Sequence, residues 1–252
     1  MVAKRIIPCL DVRDGRTVKG INFVGLQDVG DPVELGAHYA AEGADELVYL
    51  DISATYEGRR TFTSLVERIS DRINIPFTVG GGIGSLEDAS RLLDAGADKI
   101  SINSAAIANP SLIDSLARKY GSQFVVIAID AKLSPDDRWM ATTHGGRVLT
   151  PRELFEWAKE ARERGAGEIL LTSMEHDGVR EGYPCDLFAS FCPSLDIPVI
   201  ASGGAGSIDD IAEVLTSGKA DAALAASIFH YGTYTIGEVK RELASKGIKV
   251  RI

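Results

Sequence analysis

Cysteine is scarce in this chain. Its three cysteines, Cys9, Cys185 and Cys192, fit neither a disulfide framework nor a metal-ligand spacing. The expectation is a cytoplasmic protein with reduced thiols. Long apolar runs are also missing. The longest are strand-length, too short for a transmembrane helix, and the opening MVAKRIIPCLD has too short an apolar run for a signal peptide. Positive charge is in deficit: 27 Lys plus Arg stand against 36 Asp plus Glu, a formal net charge of −9. That argues against nucleic acid as the main partner, but local sites can still take anionic small molecules. Only four histidines occur, and no His/Cys/carboxylate cluster has metal-ligand spacing, so neither a metal nor a cofactor is expected. With 45% hydrophobic and 25% charged residues, the composition is globular and excludes a disordered or collagen-like chain.

What is present is alternation. Short runs rich in Val, Ile, Leu and Ala cover Arg5–Asp11, Glu46–Asp51, Pro76–Gly80, Lys99–Asn103, Phe124–Asp130, Glu168–Ser173, Pro198–Ser202 and Asp221–Ala225. They read as buried parallel strands. Helix-like segments lie between them. Asp31-Pro32 reads as an N-cap and a first-turn proline opening Val33–Glu42. Ser85-Leu86-Glu87-Asp88 and Ser207-Ile208-Asp209-Asp210 read as capping boxes. Asn109-Pro110-Ser111 and Thr150-Pro151 open two more. Eight strands alternating with eight helices predict a closed (βα)8 barrel, a TIM barrel, rather than an open doubly wound sheet.

The second half of the chain echoes the first. GADELVYL at Gly43–Leu50 returns as GAGEILLT at Gly165–Thr172, an offset of 122 residues. IPFTVGGGIGSLED at Ile75–Asp88 returns as IPVIASGGAGSIDD at Ile197–Asp210 with the same offset. GADKISINSAA from Gly96 matches GKADAALAASIF from Gly218 with Lys219 inserted. The expectation is one domain over residues 1–252, built of half-barrels at about 1–122 and 123–252. Two connections, Val12–Gly30 and Ala131–Leu149, are long for plain turns and fall at matched places, so they read as functional lids.

Active sites of such barrels lie where strands end. The first strand ends in Asp11 and the fifth in Asp130, diametrically opposite in an eight-stranded barrel. Two facing carboxylates suit general acid–base work, one held as acid and the other as base. Asp51 also ends a strand, and Glu175, His176 and Asp177 follow the sixth; these are further candidates. Gly-rich turns follow the third and seventh strands, and the fourth and eighth end in Asn103-Ser104 and Ala226-Ser227. Exposed backbone N–H groups at such places bind anions. Gly82, Asn103 and Ser104 on one rim, with Gly204, Ala226 and Ser227 on the other, therefore predict a substrate carrying a phosphate at each end; Gly178 adds a backbone donor to the second site. Lys19, in the connection over the mouth, reads as a cation for phosphate or developing charge.

KRIIPCLDVRDGRTVKGINF from Lys4, TVGGGI from Thr78, DKISINSAA from Asp98, GSQFVVIAIDAK from Gly121 and ASGGAG through ALAASIFH at Ala201–His230 carry a resemblance over essentially the whole chain. The sequence resembles the cyclase subunits of imidazole glycerol phosphate synthase, an enzyme of histidine biosynthesis. The resemblance implies attack of ammonia on a bisphosphorylated aminoimidazole carboxamide ribonucleotide bearing a phosphoribulosyl-formimino arm. The implied products are imidazole glycerol phosphate and aminoimidazole carboxamide ribonucleotide, with Asp11 as general acid and Asp130 as general base. The loop TSMEHDGVREGY departs from the Asp-Arg-Asp-Gly-Thr of many members at Glu175, His176 and Val179, leaving the Gly178 backbone donor. The alternatives are the related phosphoribosyl-formimino sugar isomerase of the same pathway and a non-catalytic or engineered barrel. The VKGINF stretch with Lys19 looks like the cyclase, and Asp11, Lys19 and Asp130 together argue against an inert barrel.

Side chains alternate along a strand. If Asp11 points into the mouth, Arg5 points inward at the opposite end, and the same parity turns Glu46, Lys99 and Glu168 inward at that level. Two charges of each sign predict a closed polar layer across the barrel bottom. The resemblance implies more: these four residues match an ammonia gate, and Asp98 and Gln123 match positions where a glutaminase subunit docks on the N-terminal face.

Overall fold

The computed structural model describes residues 2–21, 24–52 and 56–252. Eight parallel strands close into a barrel in the order β1 (Arg5–Arg13), β4 (Leu47–Asp51), β5 (Phe77–Gly80), β6 (Lys99–Ile102), β7 (Val125–Leu133), β10 (Glu168–Ser173), β11 (Val199–Ser202) and β12 (Ala222–Ala225), which returns to β1. The core has two shells. Ile7, Cys9, Val48, Val126, Leu170, Ile200, Ala222 and Leu224 fill the barrel interior. The alternate strand residues, such as Ile6, Leu10, Leu47, Ile127 and Leu171, pack outward with the helices. This is the parity expected of strands covered on both faces.

Several helix starts follow from the sequence by direct capping. The Asp31 carboxylate accepts from Val33 N (2.9 Å) and Glu34 N (3.2 Å) at the head of α1 (Pro32–Ala41). The Ser85 hydroxyl accepts from Asp88 N (3.1 Å) before α3 (Leu86–Asp94), and Ser207 forms a reciprocal box with Asp210 before α8 (Ile208–Thr216). The remaining long helices are α2 (Tyr56–Ser70), α5 (Ser111–Tyr120), α6 (Leu154–Glu163), α7 (Cys185–Phe191) and α10 (Ile236–Ser245). Lys219, the inserted residue of the second half, takes a left-handed φ of 61° on an exposed turn away from the strand ends.

Three expectations need correction. The two long connections are strand rather than loop. β2 (Arg16–Ile21) pairs antiparallel with β1, and β3 (Val24–Gly30) with β2. β8 (Trp139–Thr143) and β9 (Val148–Glu153) repeat that arrangement on β7. Each barrel strand therefore runs on past its aspartate into a ribbon, because backbone groups leaving the barrel still need partners. Asn22 and Phe23, part of the motif quoted above, lie outside the described residues. Second, Thr150-Pro151 does not open a helix. Both lie in β9, where the Thr150 hydroxyl donates to Ala141 O at 2.7 Å, and α6 begins at Leu154 with Glu153 as its cap. A proline is tolerated there because β9 is an edge strand. Third, two short helices, α4 (Ser104–Ala108) and α9 (Ser227–His230), follow β6 and β12 at matched positions.

Candidate active site

β1 and β7 lie four places apart around the barrel, so Asp11 and Asp130 rise from opposite walls. Each aspartate has a register partner in its ribbon: Asp11 stands opposite Val18, and Asp130 opposite Thr142. The first ribbon carries Lys19 back over the mouth, with its Nζ 3.8 Å from Asp11 Oδ2. Asn103, just beyond β6, donates from Nδ2 to Asp130 Oδ2 at 3.0 Å.

Both carboxyls are displaced upward, to about 6. For Asp11 the main cause is burial, opposed by the charge of Lys19 and assisted by that of Asp177. For Asp130 it is again burial, then the charge of Asp177, opposed by the hydrogen bond from Asn103. Lys19 is strongly desolvated, yet Asp11 and Asp177 hold its ammonium above the usual lysine range. Two carboxyls poised near neutrality and an adjacent cation can donate a proton, accept one and neutralise developing negative charge.

One cavity gathers Asp11, Lys19, Asp130, Asp177, Gly178, Gly203, Gly204, Ala226 and Ser227. The second predicted phosphate site thus adjoins the carboxylates. The Gly turns beneath it are sterically fixed. A Cβ on Gly203 would lie 2.5 Å from Ser173 O, and one on Gly204 would lie 2.2 Å from Gly182 O. On the other rim a Cβ on Gly81 would lie 2.0 Å from Asp51 O. Gly81 and Gly203, and likewise Asp51 and Ser173, are 122 residues apart. Gly82 itself lines a separate cleft with Asp51, Asp88 and Arg91, while Ser104 Oγ accepts from His144 N at 3.2 Å. The first predicted phosphate residues therefore have separate engagements: Asn103 bonds Asp130, Gly82 lines its own cleft, and Ser104 holds the second ribbon.

The sixth-strand loop clarifies its own departures. Glu175 accepts from Leu133 N at 3.0 Å, tying the loop to the second ribbon, and His176 Nδ1 lies 2.8 Å from Ser173 Oγ. His176 is thus engaged within its own loop. Asp177 is the residue whose importance the sequence understated. It was one of three adjacent candidates, and only the folded loop turns its charge toward both aspartates.

At the opposite end the four inward charges form a closed ring. Arg5 donates to Glu46 at 3.0 Å and to Glu168 at 2.5 Å. Lys99 Nζ donates to both Glu46 oxygens at 3.0 Å and to Glu168 at 2.9 Å. Thr78 Oγ1 adds a bond to Glu46 at 2.8 Å. A cleft beneath the ring is lined by Lys4, Arg5, Lys99, Gln123 and Glu168. Asp98 is exposed beside it, and its carboxylate accepts from Phe77 N at 3.0 Å, as that of Asp221 accepts from Val199 N.

Among known proteins, the family described as histidine biosynthesis protein matches residues 5–235. Parabacteroides distasonis has an imidazole glycerol phosphate synthase subunit HisF 60% identical over 252 residues, covering 100% of both chains. The subunit of the same name from Bacteroides thetaiotaomicron is 60% identical over 251 residues, and that from Bacillus cereus 56% over 252, again at 100% of both chains. Opposed aspartates at the strand ends, within a chain matched from end to end, make this protein a member of the histidine biosynthesis protein family, among its imidazole glycerol phosphate synthase HisF subunits.

Proposed function

We propose that this chain performs the cyclase reaction of imidazole glycerol phosphate synthase. Ammonia attacks the phosphoribulosyl-formimino aminoimidazole carboxamide ribonucleotide, which is converted to imidazole glycerol phosphate and aminoimidazole carboxamide ribonucleotide. The observation that carries the reading is the pair of carboxyls on opposite walls, Asp11 buried and Asp130 half-buried, both displaced to about 6. In this reading Asp11 supplies a proton and Asp130 withdraws one, while Lys19 offsets negative charge beside Asp11. Gly178, Gly204, Ala226 and Ser227 bind one substrate phosphate. Gly82, Asn103 and Ser104 bind the other, which requires the bound arm to draw the first rim together.

Ammonia comes from a glutaminase subunit on the N-terminal face. The cleft under the Arg5–Glu46–Lys99–Glu168 ring supports this placement, as do Asp98 and Gln123 at the same end. Asp98 also has a local role, because its carboxylate satisfies the first backbone donor of β5. The ring is the gate, and ammonia passing it meets the apolar interior side chains beneath Asp11.

Purified chain, the bisphosphorylated substrate and an ammonium salt test the reading. Formation of both products is expected, and Asp11→Asn and Asp130→Asn should each lower turnover by about 10²–10⁴-fold. No product from the native chain, or near-native turnover in either variant, would overturn it.

A further inference from the structure

The active cavity holds three carboxylates, Asp11, Asp130 and Asp177, against two cations, Lys19 and Arg180. Lys19 is engaged with Asp11. A doubly charged phosphate entering this cavity meets repulsion that neutral backbone N–H groups do not cancel, so it needs a cation of its own. Arg180 is placed to be that cation. It lines the cavity beside Gly178 and Gly204, and its guanidinium has no ion pair or side-chain hydrogen bond among the described residues. What holds it is an aromatic face: the guanidinium carbon lies 4.9 Å from the ring centroid of Tyr231. Stacking of this kind fixes the plane of the guanidinium and leaves its N–H edge open, the geometry suited to phosphate oxygens.

Both residues are anchored to the phosphate site by the backbone. Arg180 takes a left-handed φ of 63°. Its carbonyl oxygen sits 2.2 Å from where a Cβ on Gly206 would be, so the residue is pressed against the Gly203–Gly206 turn. Tyr231 closes the turn of α9, with its N–H donating to Ser227 O at 3.0 Å, so its ring is set one helical turn from Ser227. A left-handed arginine outside a glycine position is a sparsely populated conformation, and such outliers cluster at ligand clamps.

We propose that Arg180 is a binding residue for the second phosphate of the substrate, with Tyr231 as its positioning residue. The pair supplies at this rim the side-chain contact that Val179 does not. The proposal rests on reading the cavity as a phosphate site of the bisphosphorylated substrate.

Ammonium-driven turnover, resolved into KM for the bisphosphorylated substrate and kcat, tests it. Arg180→Ala should raise KM about tenfold, the value of a charge-assisted hydrogen bond at a partly exposed site, and leave kcat nearly unchanged. Arg180→Lys should recover only part of the loss, because the ammonium lacks the planar fork. Tyr231→Leu should raise KM less than Arg180→Ala, and the double variant should be no worse than Arg180→Ala, because the tyrosine acts through the arginine. An unchanged KM in Arg180→Ala, or full additivity of the two substitutions, overturns the proposal. If the native chain fails to turn over the substrate, the functional reading fails on its own. Calorimetric titration with inorganic phosphate then decides the site. Weaker binding by Arg180→Ala supports the clamp, whereas equal affinity, or no binding to the native chain, overturns it.

Discussion

Lys19 Nζ stands 3.8 Å from Asp11 Oδ2 across a ribbon in which Asp11 and Val18 are register partners. The strand that presents the acid thus also folds back to deliver the cation that limits its basicity. Burial and the charge of Asp177 push Asp11 up, Lys19 pulls it down, and the balance lies at about 6. Removing the ammonium leaves only the upward influences. In Lys19→Met, the inflection of the kcat/KM profile belonging to Asp11 should move from near pH 6 to higher pH. A profile whose inflections stay in place would show that the two groups are not coupled in the working enzyme.

Among the described residues no cation offsets the burial of Asp130, only the bond from Asn103. Its carboxyl rises from 3.8 in the unfolded chain to about 6 in the fold. The folded state therefore binds that proton more tightly than the unfolded state. The sign follows: the carboxylate destabilises the fold above about pH 6, and this cost fades as pH falls toward 4. Asp130→Asn should raise stability at pH 8 by about 1–3 kcal/mol, from about 1.4 kcal/mol per pKa unit. The gain should vanish near pH 4. Urea unfolding at the two pH values measures both numbers, and a gain independent of pH would contradict the linkage.

Much of this arrangement is legible in the sequence, for local reasons. Asp31, Ser85 and Ser207 cap because a short polar side chain reaches the second or third backbone N–H that follows. Arg5, Glu46, Lys99 and Glu168 converge because side-chain alternation in a strand leaves no other level for them. The ribbons were not legible. Their residues are polar and glycine-rich, and their pairing is set by a barrel strand that continues past its aspartate. Arg180, and the weight of Asp177 over its two neighbours, were hidden for a related reason. Their directions depend on a loop conformation, including a left-handed residue, that no periodicity encodes.

Gly81 and Gly203 test how strictly the turns are built. Each has a left-handed φ, 97° and 87°, and an added Cβ would lie 2.0 Å from Asp51 O and 2.5 Å from Ser173 O. Backbone atoms cannot swing aside as a flexible side chain can, so strain adds to the conformational cost. Gly203→Ala should cost about 2–4 kcal/mol and weaken substrate binding. Gly247 supplies the control, having a φ of 79° with nothing within 4 Å of its Cβ position. Gly247→Ala should cost only about 1–2 kcal/mol, the left-handed penalty alone. Equal losses of denaturation midpoint in the two variants would show that the carbonyl contact is relaxed without cost.

The charge ring at the barrel bottom separates stability from nitrogen delivery. Glu46 and Glu168 each accept from both Arg5 and Lys99, so removing one cation leaves two buried carboxylates sharing the other. Lys99→Met should therefore cost about 3–5 kcal/mol, the usual cost of breaking a buried pair. Removing one charge of each sign, in Lys99→Met with Glu168→Gln, should return much of that loss. These numbers report only on the ring as a plug. Its role as a gate is read from the nitrogen source. With the glutaminase subunit present, Lys99→Ala and Arg5→Ala should impair glutamine-dependent turnover severely. Turnover on free ammonium should change far less, because ammonia also enters from the open end beside Asp11 and Asp130. If both nitrogen sources lose activity equally, and the doubly neutral variant restores both equally, the ring holds the barrel together and gates nothing.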